Sequence, residues 1–153
     1  MARGFALDSM THEDAGHYAR KHGPKAIINS AIQDMLLTRA LKGKLPCAVA
    51  FDLARDLDIS PKDVGRTADL MEFRLVKCQL GLFGYYPKKS ILKPLSSVNA
   101  ALEKAILEEL KDNRLPCKKA WEIAKRFGIH KIKLGRACDA LEIKIAPCQL
   151  GAF

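Results

Sequence analysis

Residues 45–83 read LPCAVAFDLARDLDISPKDVGRTADLMEFRLVKCQLGLF, and residues 115–153 read LPCKKAWEIAKRFGIHKIKLGRACDALEIKIAPCQLGAF. The two stretches align without a gap at a constant offset of 70, and 15 of their 39 positions are identical. An ungapped match of this length indicates one supersecondary unit used twice. The pattern predicts a tandem repeat, in which each residue of the first copy has an equivalent 70 positions later.

The match extends upstream as an apolar stripe at helical spacing in each copy. The stripe consists of Ile28, Ile32, Met35, Leu36 and Ala40 in the first copy and of Val98, Leu102, Ala105, Ile106 and Leu110 in the second. Each unit is therefore predicted to contain three helices. We expect a mainly α fold with short β pieces.

Four segments follow from this repeat. Residues 1–27 form a lead-in, for which we predict a helix over His12–His22 because Thr11 begins a capping-box pattern. The first repeat spans residues 28–83 and the second repeat residues 97–153. Between them, residues 84–96 carry prolines and lysines, a composition that predicts an extended basic connector.

A tight turn between two helices is encoded in the middle of each copy. The small Ala54 allows two helices to cross closely, and Asp58 stands where the turn needs a positive φ; the second copy has Gly128 there. Ser60 then caps the next helix, with Pro61 in its first position. The pattern resembles the helix-turn-helix of bacterial and archaeal DNA-binding regulators.

This resemblance implies that the second helix of each motif is a recognition helix, spanning residues 60–72 and 130–142. In such motifs the outward side chains of this helix reach base edges and phosphates in the major groove. The candidate contacts are Ser60, Lys62 and Arg66 in the first repeat and His130, Lys131, Lys133 and Arg136 in the second. The expected partner is double-stranded DNA.

Two features of these helices have structural alternatives. Arg66 and Arg136 either contact DNA or pair with the aspartates three positions later. Gly65 and Gly135 occupy mid-helix positions, where glycine costs about 1 kcal/mol relative to alanine. They permit either close approach of the helix to DNA or close packing against another helix or the connector.

Short strands are predicted where apolar and polar residues alternate, at residues 73–77 and 143–146. In winged-helix proteins such a strand pairs with one between the first two helices, here Leu45-Pro46-Cys47. Pro46 restricts that strand to an edge or strand-end role. Since the second copy has few residues after its strand, we expect a minimal winged-helix unit.

The net charge of +9 is distributed unevenly. Residues 1–83 hold 12 Lys and Arg against 10 Asp and Glu, a net charge of +2, whereas residues 84–153 hold 14 against 7, a net charge of +7. A basic surface attracts nucleic acid, an anionic membrane or an acidic protein. We expect the second repeat to dominate binding to DNA.

The repeat also duplicates two cysteines. We predict that Cys47 lies near Cys78 and that Cys117 lies near Cys148, with Cys138 in the core and no metal bound. The four duplicated residues are structural thiols, redox pairs or ligands of a metal or iron–sulfur centre. Short Cys-x-x-Cys knuckles, which zinc sites usually use, are absent from the sequence.

The sequence has no glycine-rich phosphate loop, nucleophile elbow or histidine metal motif, so we expect no enzymatic activity and no cofactor. It also has no apolar run long enough for a membrane span or a signal peptide, which predicts a cytoplasmic protein without a membrane partner.

The leading hypothesis is a DNA-binding transcriptional regulator. Its rival is a protein–protein interaction module on a winged-helix scaffold. A lesser alternative is a redox- or metal-responsive regulator that uses the cysteine pairs.

Overall fold

The computed structural model describes residues 18–23, 26–85 and 92–152, and it is mainly helical with a few short strands. Both halves use one order of elements. The first half contains α1 (Ser30–Arg39), β1 (Lys44–Pro46), α2 (Cys47–Leu57), α3 (Pro61–Leu70) and β2 (Arg74–Val76). The second half contains α4 (Ala100–Glu108), β3 (Arg114–Leu115), α5 (Cys117–Phe127), α6 (Lys131–Ala140) and β4 (Lys144–Ile145). Helices α2 and α5, like α3 and α6, begin and end at equivalent positions.

The lead-in is described only in part. Of the helix predicted over His12–His22, residues 12–17 lie outside the described residues, and Tyr18–Lys21 form a 3-10 helix rather than an α-helix. Residues 86–91 of the predicted connector also lie outside the described residues.

Polar caps and left-handed residues set the helix ends. The Asn29 side chain accepts a hydrogen bond from an amide in the first turn of α1 at 3.0 Å, and Asn99 does the same at α4 at 2.8 Å. Ser60 Oγ accepts a hydrogen bond from an amide of α3 at 3.2 Å, as its position in the sequence predicts. The predicted turns are also confirmed, because α2 ends at Asp58 (φ 54°) and α5 at Gly128 (φ 65°).

Each repeat has a two-stranded parallel sheet. The register is Lys44↔Arg74, Leu45↔Leu75 and Pro46↔Val76 in the first repeat, and Arg114↔Lys144 and Leu115↔Ile145 in the second. The predicted pairing of the Leu-Pro-Cys strand with the strand after the second helix is therefore confirmed. The strands are parallel because two helices lie between them as a crossover connection.

A closed loop follows β2, in the place where a wing would start. The Lys77 N–H donates to the Gly84 carbonyl and the Cys78 N–H to the Phe83 carbonyl, both at 3.1 Å. Both repeats share a tight turn here, in which the Gly81 N–H donates to the Cys78 carbonyl at 2.9 Å and the Gly151 N–H to the Cys148 carbonyl at 3.1 Å. We call residues 78–83 and 148–152 the exchange loops.

The protein has two hydrophobic cores, and each contains a leucine from the other repeat. The first core is built by α1, α2, α3 and the β1–β2 sheet, and Leu150 of the second repeat is buried in it. The second core is built by α4, α5, α6 and the β3–β4 sheet, and it contains Leu80 of the first repeat. Both leucines are about 1% exposed. The two repeats thus fill each other's cores by a reciprocal exchange of loops.

Candidate nucleic-acid interface

The predicted recognition helix α3 is covered along its glycine side by the second repeat. Gly65 is buried, and a Cβ atom built on it would lie 1.7 Å from the carbonyl oxygen of Leu150. No side chain fits in this space, since real Cβ atoms do not approach an oxygen so closely. The exchange loop of the second repeat therefore lies directly on the backbone of α3.

The equivalent contact forms on α6. A Cβ atom on Gly135 would lie 2.2 Å from the Leu80 carbonyl oxygen and 3.1 Å from a methyl group of Leu92 in the connector. Of the two explanations for the mid-helix glycines, close approach to DNA is wrong, because the space beside each glycine is filled by protein. Close packing is correct, and the contacting element is the exchange loop of the other repeat, joined at Gly135 by Leu92 of the connector.

The lead-in covers a further part of α3. Asp69 is 4% exposed, and its carboxylate accepts hydrogen bonds from Lys21 Nζ at 3.0 Å and from His22 Nε2 at 2.9 Å. Burial raises the pKa of the Asp69 carboxyl above its ordinary value, although His22 and Lys21 act in the opposite direction. Lys21 Nζ also donates to the Gly151 carbonyl at 3.0 Å, so the lead-in joins α3 to the exchange loop that covers it.

The backbone of the lead-in is anchored next to this ion pair. The Tyr18 and Ala19 amides donate to the two carboxylate oxygens of Glu72 at 2.8 and 2.9 Å. Glu72 follows the C-terminal end of α3. The 3-10 helix of the lead-in is therefore fixed to that end of the predicted recognition helix.

The two candidate arginines lie in different environments. Arg66 is exposed, and the alternative of an Arg66–Asp69 pair is not formed, because Asp69 binds the lead-in instead. Arg136 is half-buried, and its Nε donates to the Lys93 carbonyl at 2.8 Å. Arg136 therefore holds the connector against α6, whereas Arg66 points into solvent.

The remaining candidate contacts also differ in their exposure to solvent. Lys62, His130 and Lys133 are exposed. Ser60 is exposed as well, although its hydroxyl caps α3. Lys131 is half-buried, with its Nζ 4.4 Å from the centroid of the Trp121 ring in a cation–π contact. The accessible candidates are thus Ser60, Lys62, Arg66, His130 and Lys133.

The outer surfaces of the two repeats differ in charge. On α5 and α6 the exposed residues Lys118, Lys125, Arg126 and Lys133 replace Ala48, Arg55, Asp56 and Asp63 of the first repeat. The basic residues of α2 and α1 near these positions are engaged in ion pairs, Arg55 with Asp52 at 2.7 Å and Arg39 with Asp56 at 2.8 Å. We call Lys118, Lys125, Arg126 and Lys133 the α5–α6 basic face.

All five cysteines are free thiols. Gln79 donates to Cys47 Sγ at 3.9 Å and Gln149 donates to Cys117 Sγ at 3.3 Å, so the second residue of each exchange loop is a glutamine that contacts a cysteine of its own repeat. Within the part of the chain that the structure describes, no three His, Cys, Asp or Glu side chains are arranged to hold a metal ion.

Burial keeps these thiols protonated. It raises the pKa of Cys47 to about 11 and those of Cys78 and Cys117 to about 12. Neighbouring thiols also raise these pKa values, by smaller amounts than burial does. Cys47 raises the pKa of Cys78, and Cys148 raises the pKa of Cys117 and, across the repeats, that of Cys47. The predicted pairs are therefore within electrostatic range, and protonated buried thiols are poor nucleophiles.

Comparisons with known proteins returned no match to a protein-family model, a curated protein or a solved structure. Among the described residues, no helix has the length and apolar character that crossing a membrane requires.

Proposed function

We propose that the protein binds double-stranded DNA as a transcriptional regulator, with two tandem helix-turn-helix units in one chain. The pairs α2–α3 and α5–α6 support this assignment, since each pair is joined through a left-handed residue, Asp58 or Gly128. Ala54 and Ala124, the small residues expected where the helices cross, are both buried. Helix-turn-helix proteins place the second helix of such a pair in the major groove.

The α5–α6 basic face carries the proposal. Its four residues are exposed, and none of them forms an ion pair with a carboxylate of the described residues. Lys118, Lys125 and Arg126 lie on one side of α5, since they are seven and eight positions apart on the same helix. Lys133 lies in the first turn of α6, next to His130. Glu122 lies among them on the same side of α5 and pairs with Lys119 at 3.6 Å, so the face holds four unpaired cations around one carboxylate, an excess of positive charge that attracts phosphates.

The first repeat supports a weaker contact of the same kind. Lys62 and Arg66 are exposed one helical turn apart on α3, but Asp63 lies between them. We propose that the second repeat provides most of the affinity and that Lys62 and Arg66 add a second contact. Because the glycine sides of α3 and α6 are covered, base reading falls to the exposed N-terminal residues Ser60, Lys62, His130 and Lys133, together with Arg66.

Fluorescence anisotropy with a labelled duplex of random sequence tests the proposal. The parent protein is titrated between about 50 and about 200 mM salt and compared with the Lys125→Ala/Lys133→Ala variant. Each lost phosphate contact lowers the slope of log K against log salt by roughly 0.9, so the variant loses about two units. The matched control is Arg55→Ala/Lys104→Ala, which removes two exposed charges elsewhere and leaves the slope unchanged. A variant that binds like the parent at low salt excludes this face as the DNA surface.

An interaction module is the second candidate, and exposed apolar side chains favour it. Leu37 on α1 is 60% exposed, and Leu107, its equivalent on α4, is 49% exposed. Ile27 and Leu41, which lie before and after α1, are 84% and 73% exposed. Large exposed apolar side chains that form a patch are typical of surfaces that bind another protein. A parent protein that leaves duplex DNA unbound at low salt favours this second function.

A further inference from the structure

Basic residues stand directly opposite each other on the parallel strands of both repeats. Lys44 of β1 is the register partner of Arg74 of β2, and Arg114 of β3 is the partner of Lys144 of β4. Neighbouring strands lie about 4.8 Å apart, so each pair brings two cations close together. Like charges in directly opposite positions destabilise a sheet. Packing and pairing within the sheet therefore do not account for these residues.

Because side chains alternate along each strand, these basic pairs face away from the two cores. Leu45, Leu75, Leu115 and Ile145, which follow the basic residues, are buried in the two cores. Successive side chains of a strand point to opposite faces, so the basic residues face away from the cores. Lys44, Arg74 and Arg114 are exposed, and Lys144 is half-buried. No described carboxylate forms an ion pair with Lys44, Arg74 or Arg114.

The charge is kept in both repeats although the residue type is exchanged. Position 44 is lysine where position 114 is arginine, and position 74 is arginine where position 144 is lysine. A side chain needed for a particular packing shape would keep its identity. A position that needs only a long cationic side chain accepts either residue, and that is the requirement of a phosphate contact.

The turn before each first strand adds another cation. In the second repeat Lys111 and Arg114 exchange two backbone hydrogen bonds, at 2.7 and 3.0 Å, which hold their side chains next to each other. In the first repeat Lys42 is exposed in the equivalent turn, and the Arg74 N–H donates to the carbonyl of the adjacent Gly43 at 2.8 Å. Lys42 and Lys111 stand at different positions of the turn, and the second turn also carries the exposed Asp112. Each sheet therefore presents two cations in register on a backbone fixed by hydrogen bonds, with one further lysine in the preceding turn.

We infer that these two clusters, Lys42/Lys44/Arg74 and Lys111/Arg114/Lys144, are phosphate clamps that bind the backbone of duplex DNA. This inference rests on the proposed function and adds a second surface to it. Two basic side chains about 5 Å apart can contact one phosphate together, with the arginine donating through two N–H groups. The clamps contribute sequence-independent affinity at two places in the molecule.

The test uses the full chain and a labelled duplex of random sequence. In Lys44→Gln/Arg74→Gln and Arg114→Gln/Lys144→Gln, glutamine retains an extended polar side chain and removes the charge. Each variant is expected to lower the slope of log K against log salt by about two units and the quadruple variant by about four. The charge-preserving exchange Lys44→Arg/Arg74→Lys is expected to bind like the parent. Arg55→Ala/Lys104→Ala serves as the charge-matched control, and thermal unfolding confirms that each variant is folded.

The outcomes separate this inference from the proposed function. If the glutamine variants bind like the control while Lys125→Ala/Lys133→Ala weakens binding, the clamps are excluded and the α5–α6 basic face stands. If only the glutamine variants weaken binding, the clamps stand and that face is excluded. If the charge-preserving exchange loses as much affinity as the glutamine variant, the residues act through sheet structure rather than charge, which overturns the inference. A parent protein that does not bind the duplex overturns both.

Discussion

The ring of Phe51 lies against the ring of Trp121, with their centroids 4.3 Å apart and their planes inclined by 43°. The two residues occupy the same position in α2 and α5, since they are 70 residues apart. Equivalent residues of two copies meet where an approximate two-fold axis passes between them. The chain is therefore arranged like a symmetric dimer within one polypeptide, and the exchange loops are related by the same symmetry.

Replacing Gly65 or Gly135 with alanine is expected to destabilise the protein, although alanine normally favours a helix by about 1 kcal/mol. The new Cβ atoms would lie 1.7 Å from Leu150 O and 2.2 Å from Leu80 O. Since backbone atoms of the other repeat must move, we expect each substitution to lower the free energy of unfolding by about 3 kcal/mol. Chemical denaturation measures this change.

Gly23→Ala is the control for these variants, because nothing lies within 4 Å of a Cβ atom at Gly23. It is expected to leave the free energy of unfolding within about 0.5 kcal/mol of the parent. If Gly65→Ala stabilised the protein as an ordinary helical substitution does, the loop would not be seated on α3.

Truncating the exchanged leucines is expected to unfold both repeats together. Leu80→Ala and Leu150→Ala each leave a cavity in the core of the other repeat, at a cost of about 2–5 kcal/mol. Trp121, the only tryptophan, reports on the contact between the two repeats and circular dichroism on the whole chain. The two signals are expected to follow one transition in both variants. Leu37→Ala, at an exposed position, is the control, and separate transitions would contradict the exchange.

The helix boundaries, the Ser60 cap and the left-handed turns could be predicted, because each depends on residues near one another in the sequence. The repeat follows from the constant offset of 70, and the pairing of the two strands follows from the resemblance to winged-helix units. The exchange could not be predicted. Leu80 and Leu150 are equivalent, and so are Gly65 and Gly135, so a loop folded onto its own repeat satisfies the same pattern. The mid-helix glycines indicated that something approaches closely, but their positions carry no information about which repeat supplies it.

Raising the pH above 9 is expected to destabilise the protein through its buried thiols. The pKa of Cys138 is raised by burial from 9.0 to about 12, so the folded state retains a proton that the unfolded state releases. The free energy of unfolding is unaffected by this thiol below pH 9 and falls above it, by about 1.4 kcal/mol per pH unit, until the folded pKa is reached.

Comparison with Cys138→Ala isolates this effect from the other groups that titrate at high pH. The difference in the free energy of unfolding between parent and variant, measured by urea denaturation, is expected to shrink steadily between pH 9 and about 11. A difference that stays constant over this range would show that the Cys138 thiol titrates equally in both states.

A charge introduced into the first repeat is expected to strengthen DNA binding. Asp63 of α3 is the equivalent of Lys133 and is exposed between Lys62 and Arg66. Asp63→Lys removes a repulsive charge and adds a phosphate contact, so the slope of log K against log salt is expected to increase by about one unit. Asp34→Lys makes the same charge change on α1 and is the control. Equal gains in the two variants would assign the effect to net charge alone.

Only the charge of the candidate site and the exposure of its helical residues could be predicted from the sequence. The charge asymmetry between the halves follows from composition, and the exposed positions of Lys62, Arg66, His130 and Lys133 follow from helical spacing. Arg136 donates a hydrogen bond to the Lys93 carbonyl, and Lys131 forms a cation–π contact with Trp121. Both contacts depend on segments that meet only in the folded chain. The cross-strand pairs were equally hidden, because Lys44 and Arg74 become neighbours only through the register of the sheet.

The exchange of loops also sets the order in which the nascent protein can acquire its structure. The first core is completed by Leu150 and Ala152, which are translated long after the helices that they cover. At about 5–20 residues per second, the ribosome needs several seconds to pass from β2 to Leu150. Throughout that interval the groove beside Gly65 is open, and α1, α2 and α3 emerge without the residues that close their core. The protein therefore reaches its native state only after both repeats have left the ribosome.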